Sequence, residues 1–73
     1  MKFKYYPETD SLYIDLSSNP GTDSKEVADG VVIDLDSDGN VVGIDIDHAS
    51  EKIDLEDLSF SKMPFIKRDL SIS

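Results

Sequence analysis

GVVIDLDSDGNVVGIDID, residues 30 to 47, is the stretch that decides the fold. Two runs in it alternate apolar and polar residues at the period of a β-strand. The alternation places Val31, Ile33 and Leu35 on one face, joined by Val42, Ile44 and Ile46. Asp34, Asp36, Asp45 and Asp47 fall on the other. Between the runs lies Asp36-Ser37-Asp38-Gly39-Asn40. An Asp-Gly step flanked by alternating apolar runs is a strong hairpin signal. Gly39 can take a positive φ, which suits a type I turn closed by a bulge. Gly43 interrupts the second run on its polar face and marks either a bulge or a close approach by another backbone.

The same residues fit a second template. Asp34, Asp36, Asp38, Gly39 and Asn40 follow the opening of a calcium loop, and Asp45 falls where its bidentate acid would sit. That last position normally holds Glu, and Val42 stands where a polar ligand is usual. A calcium loop of this kind needs a helix on each side, whereas these flanks are β-branched and alternating. The hairpin reading therefore leads, with weak divalent-cation binding at the Asp-rich end as its alternative.

Working outward, Met1 to Tyr6 reads as a first strand, with Phe3 and Tyr5 on one face and Lys2, Lys4 and Tyr6 on the other. Pro7-Glu8-Thr9-Asp10-Ser11 is turn chemistry. Leu12 to Leu16 reads as a second strand, with Tyr13 and Asp15 facing outward. Ser17 to Lys25 has loop composition and no apolar periodicity. Glu26 to Gly30 leads into the third strand, with a kink or bulge expected at Asp29-Gly30.

After Asp47 the period changes. Asp47 is the expected N-cap of a short helical turn through Ile53, and Asp54 the expected cap of another. Ala49, Ile53, Leu55 and Leu58 would cover one face of the sheet. Pro64 ends any helix. The expected fold class is mainly β (α+β): a four-stranded antiparallel meander of two hairpins, with a short C-terminal helical segment packed on one face. Residues 1–59 form the single small domain, and 60–73 a C-terminal tail that is either frayed or an added edge strand.

Seventy-three residues allow one small core, and the absence of cysteine removes disulfides and thiolate metal sites as supplements. A homodimer is a common way for so short a chain to bury more apolar surface. Sixteen acidic residues against seven basic ones give a net charge of −9. That balance argues against direct nucleic acid binding, which needs Lys and Arg on phosphates, and favours a basic protein partner or cations. No apolar run reaches membrane-spanning length and no signal peptide precedes the first strand, so a cytoplasmic location is expected.

YYPETDSLYIDLS at residues 5 to 17 and EVADGVVIDLDSDGNVVGIDIDHAS at 26 to 50 resemble the small prokaryotic proteins filed as domain of unknown function family 2283. Tyr5, Pro7, Asp10, Leu12, Tyr13 and Ile14 match the opening of that family's pattern. Asp29, Gly30, Asp38, Gly39, Val42, Gly43 and Ile44 match its hairpin, so the resemblance covers about residues 1 to 50. Some members look like the smaller half of gene pairs whose other half resembles a toxin nuclease, which implies an antitoxin-like role. The resemblance brings no catalytic residues. This chain departs from many relatives in carrying four Asp on the hairpin's outer face, where others have mixed polar residues.

The candidate sites follow from that face. Tyr13, Asp15, Asp34, Asp36, Asp45 and Asp47 are the partner-binding candidates, because acidic surface steers basic partners and Tyr is enriched at interfaces. Asp34, Asp36, Asp38 and Asp45 are the metal candidates, and an all-carboxylate set favours Ca or Mg. The bland alternative is solvation, since antiparallel sheets commonly leave one face polar. His48, the single histidine, reads as a surface residue at the start of a helical turn. No nucleophile–base set is recognisable, so neither catalysis nor a cofactor is expected. The expected function is a non-enzymatic interaction module.

Overall fold

The central hairpin is formed as the alternation dictates. In the computed structural model, which describes residues 1–64, β4 (Val31–Leu35) pairs antiparallel with β5 (Val41–Ile46). Ile33 lies opposite Ile44 and Val31 opposite Ile46. The turn closes through Gly39 N–H to the Asp36 carbonyl at 3.0 Å and Asp36 N–H to the Asn40 carbonyl at 2.9 Å. Gly39 sits at φ 83°, in the left-handed region that favours glycine.

A bulge breaks the register beside this turn. Asp34 pairs with Gly43, but Leu35 pairs with Val41, so Val42 is the extra residue. One extra residue shifts the phase of the alternation. Val42 therefore does not share a face with Ile44, as the alternation implied. A Cβ on Gly21 would meet both the Asp34 Cβ at 3.5 Å and a Val42 methyl at 3.7 Å, which puts Val42 on the Asp34 side. There it is 4% exposed.

The sheet has five strands, not four. β1 (Lys2–Tyr6) and β2 (Ser11–Asp15) make the first hairpin, as expected. The fifth is β3 (Asp23–Ala28), half of it drawn from the stretch that reads as loop and half from the lead-in after Lys25. All six of its residues are exposed, so it carries no buried face to leave a period in the sequence. Its backbone pairs with β4, and a register shift between Glu26 and Ala28 accompanies a Val27 that is 53% exposed. Gly30, at φ 73°, turns β3 into β4.

The strand order is β1-β2-β5-β4-β3, antiparallel throughout. This is a Greek-key arrangement rather than the expected meander, because β2 returns to lie beside β5. The link from β2 to β3 must therefore cross the ends of β5 and β4. Leu16 N–H bonds the Val42 carbonyl at 2.9 Å and Thr22 N–H the Leu35 carbonyl at 2.8 Å. The crossing helps bury Val42 and Asp36, the latter being 8% exposed.

The C-terminal helix is shorter than expected. α1 spans Ala49–Lys52, and His48, not Asp47, holds its N-cap position at φ 52° without a capping side chain. Asp10, forty residues earlier, supplies the cap. Its carbonyl accepts Ala49 N–H at 2.8 Å. Its carboxylate accepts Ser50 N–H at 3.1 Å and the Ser50 hydroxyl at 2.7 Å. The second helical turn expected after Asp54 does not form: its carboxylate accepts Glu56 N–H and its carbonyl Asp57 N–H, both at 3.3 Å, closing a single non-helical turn.

Beyond the helix, Ile53, Leu55 and Leu58 border a groove of about 260 Å³ with Phe3, Tyr5, Leu12 and Ile14. The C-terminal segment thus lies against β1 and β2. Among the described residues only Leu12, Val42 and Ala49 are buried apolar side chains. Ile33, Ile44, Val31 and Leu35 stay half-buried. Residues 60–64 form no strand, and the rest of the tail expected to fray or add an edge strand lies outside the described residues.

Candidate functional site

Directly paired residues of an antiparallel sheet share a face. The register therefore assembles the outer face row by row. One row runs Lys4, Tyr13, Asp45, Val32, Glu26, and the next runs Lys2, Asp15, Gly43, Asp34, Ser24. Asp15, Asp34 and Asp45 thus come together around Gly43, each half-buried.

Tyr13 occupies the middle of this group. Its ring lies over Gly43, where a Cβ would stand only 2.6 Å from the Tyr13 Cζ. The missing side chain lets the phenol cross β5 and donate to Asp34 Oδ2 at 2.9 Å. The close approach anticipated at Gly43 is thus made by a side chain, and the adjoining bulge is present too. Ser24 donates from β3 to the other oxygen, Asp34 Oδ1, at 2.9 Å. One network therefore runs from β2 across β5 to β4 and β3.

The electrostatics of the face are unfavourable to further negative charge. The Tyr13 hydroxyl titrates above its ordinary range, first because it donates to Asp34, then through desolvation and the nearby carboxylates. The Asp45 carboxyl is also pushed up, chiefly by desolvation and then by repulsion from Asp47 and Asp34. A shallow depression runs along the face between Lys4, Tyr6, Tyr13, Asp34 and Asp45.

Two of the six partner-binding candidates lie elsewhere. Asp36 is in the turn, where its Oδ1 accepts the amides of Asp38 and Asn40, both at 2.9 Å. Asn19 reaches its Oδ2 at 3.4 Å. These bonds, led by the Asn40 amide, hold its carboxyl below the usual range despite some desolvation. Asp36 organises the turn and the crossing link rather than offering a free carboxylate. Asp47 lies past the end of β5, exposed, its amide bonded to the Gly30 carbonyl at 2.8 Å.

The four metal candidates are not brought into one ligand set. Asp36 faces its own turn amides, Asp34 accepts from Tyr13 and Ser24, Asp38 is exposed in the turn, and Asp45 lies on the sheet. Among the described residues, the group whose ligand atoms lie within 4.8 Å of one another is instead Asp10, His48 and Glu51. Asp10 is already committed there, since Tyr5 donates to its Oδ1 at 2.7 Å and Ser50 bonds both oxygens. The Tyr5 bond is the main cause lowering its carboxyl, followed by the Ser50 hydroxyl.

Sequence reasoning missed the role of Asp10 because its partner is Ser50. The signal was present in the spacing of Tyr5 and Asp10, which places a phenol and a carboxylate at the two ends of one tight turn. No helix of the described residues is long and apolar enough to cross a membrane. Neither a curated protein nor a solved structure matches the chain. Residues 2–50, which contain the Tyr5–Asp10 turn, the Tyr13–Asp34 network and Ser50, match the family of proteins of unknown function DUF2283, and the chain belongs to that family.

Proposed function

We propose that the protein is a non-enzymatic interaction module that receives basic side chains of a partner protein on the outer face of its sheet, in an antitoxin-like manner. One observation carries this reading. The register sets Asp15, Asp34 and Asp45 around Gly43 on one sheet face, where partial desolvation and repulsion from Asp47 and Asp34 push the half-buried Asp45 carboxyl up. An arginine or lysine set beside the Asp45 carboxylate would relieve that repulsion. Tyr13 adds a rigid aromatic surface beside it. Binding of this kind is steered by charge and weakens as salt rises.

The test is affinity capture from the source cell's lysate at low and high salt, with the native chain and an Asp15→Asn/Asp45→Asn variant. The expected result is one stoichiometric basic protein, captured at low salt by the native chain and lost both at high salt and with the variant. Capture of no partner at either salt would end this reading. The cation alternative draws less support, because Asp36 and Asp34 already spend their oxygens on protein donors.

A further inference from the structure

We infer that the outer edge of β1 pairs with an extended segment of a partner protein in which acidic and apolar side chains alternate. The sheet order leaves two edges, β1 and β3. An edge strand presents a row of unpaired amides and carbonyls. Folded proteins blunt such rows with bulges, with charges on the apolar side, or with lysine. The two edges of this sheet differ in which of these they carry.

β3 is guarded twice. Its register slips between Glu26 and Ala28, and it sets Asp23 beside Leu35 and Lys25 beside Ile33, so charge sits on its apolar side. β1 has neither device. Its five residues pair with β2 in unbroken register. Phe3 and Tyr5, opposite Ile14 and Leu12, hold the apolar side, and Lys2, Lys4 and Tyr6 the outer side. Among the described residues no strand lies beyond β1.

The side chains of β1 select what the edge accepts. Residues of an added strand fall alternately beside its two sides. Opposite charges directly across a strand pair stabilise it, and like charges destabilise it. Lys2 and Lys4 therefore favour Asp or Glu on the outer side. Lys2 already has Asp15 across from it on β2, whereas Lys4 has the uncharged Tyr13, so Lys4 is the stronger selector. On the other side, Phe3 and Tyr5 line the apolar groove of about 260 Å³, whose only charged border is Asp54. An apolar side chain is favoured there and a carboxylate is not.

The same lysines exclude a second copy. The antiparallel register that overlaps all five residues of two β1 strands sets Lys4 directly against its own counterpart. Each chain also brings a net charge of −9. A short acidic segment escapes most of that field at roughly 0.15 M salt, where charges more than about 8 Å apart are screened.

The test titrates the isotope-labelled full chain, at that salt, with the capped peptide Thr-Val-Glu-Val-Glu-Val-Thr, read by amide shifts and hydrogen exchange. The expected result is saturable shifts and slowed exchange centred on β1, with Kd tighter than about 1 mM. The same peptide with Lys for both Glu should bind roughly 10-fold more weakly, since each favourable pair becomes a like-charge pair. A peptide of equal composition with its two Glu adjacent, which breaks the alternation, should also lose affinity. Lys4→Glu, checked for a native amide spectrum, should weaken the Glu peptide roughly 5-fold and strengthen the Lys peptide. Asp45→Asn should bind both peptides as the native chain does, because the edge is separate from the acidic face.

Absence of β1 shifts at millimolar peptide would overturn the inference. So would equal binding of the Glu and Lys peptides, or shifts centred on β3. Protection of every β1 amide before peptide is added would overturn it too, because the chain's own residues or a second copy would then hold the edge.

Discussion

Two tyrosine–aspartate pairs tie this molecule together, and they work differently. Tyr5 and Asp10 are five residues apart and bonded at 2.7 Å, while Tyr13 and Asp34 are twenty-one apart and bonded at 2.9 Å. The first pair looks local, yet its carboxylate caps α1 through Ser50, forty residues on. It fastens the start of the C-terminal segment to the first hairpin. The second pair is long-range but stays within the sheet, joining β2 to β4 over the bare backbone of Gly43. The contrast teaches that sequence distance between partners does not measure what a contact holds. One pair anchors a segment and the other braces a surface.

Gly43→Ala should produce the largest effect, because the added methyl would collide with the Tyr13 ring. Overpacking of this kind costs about 2 kcal/mol, measurable by urea unfolding. Combining it with Tyr13→Ala should recover part of the loss, since the second change removes the obstacle. Additive costs would show that the ring does not brace the sheet.

Asp10→Ala should come next, lowering the melting temperature by roughly 5–10 °C for a domain of this size. Its loss should also raise amide exchange at Ala49, Ser50 and Ile53 while leaving β3 to β5 protected. Uniform loss of protection would mean that this pair and the sheet brace are one cooperative unit. Tyr13→Phe removes only a hydroxyl and should cost about 1 kcal/mol, the usual net worth of a hydrogen bond. Tyr5→Phe, at the more exposed pair, should cost less.

The smallest effect is in pH dependence, and here two signs oppose. Asp10 and Asp36 titrate below the ordinary 3.8, so the stability they add is present above that value and is lost as pH falls beneath it. Asp45 titrates above 3.8, so its folded form takes up a proton first on acidification. Stability should therefore rise slightly as pH falls towards 3.8 and drop below it. Asp45→Asn should flatten the rise and leave the drop. A native profile that only falls on acidification would remove the repulsion on which the proposed partner site rests.

The hairpins were legible from sequence because each buries, at least in part, one face, and burial writes a period of two into the side chains. The Asp36 turn was legible as well, its bonds spanning four residues at most. β3 was not legible, because an exposed edge strand is held by backbone hydrogen bonds that do not depend on side-chain type. The side taken by Val42 was hidden for a related reason. A single bulge shifts the alternation without changing a letter of it.

By itself, the sequence determined the β class, the two hairpin turns, the acidic character of the outer face and the family. These depend on local chemistry: alternation, the freedom of glycine in turns, and charge carried by individual residues. Tertiary structure alone decided the Greek-key order, the reach of Asp10 to Ser50, and which carboxylates remain available. Asp36 and Asp45 differ little as letters, yet one is consumed by its own turn and the other is left half-buried among like charges. That difference arises only when distant strands meet, because the free energy of a carboxylate is set by the donors and charges brought within a few ångströms of it.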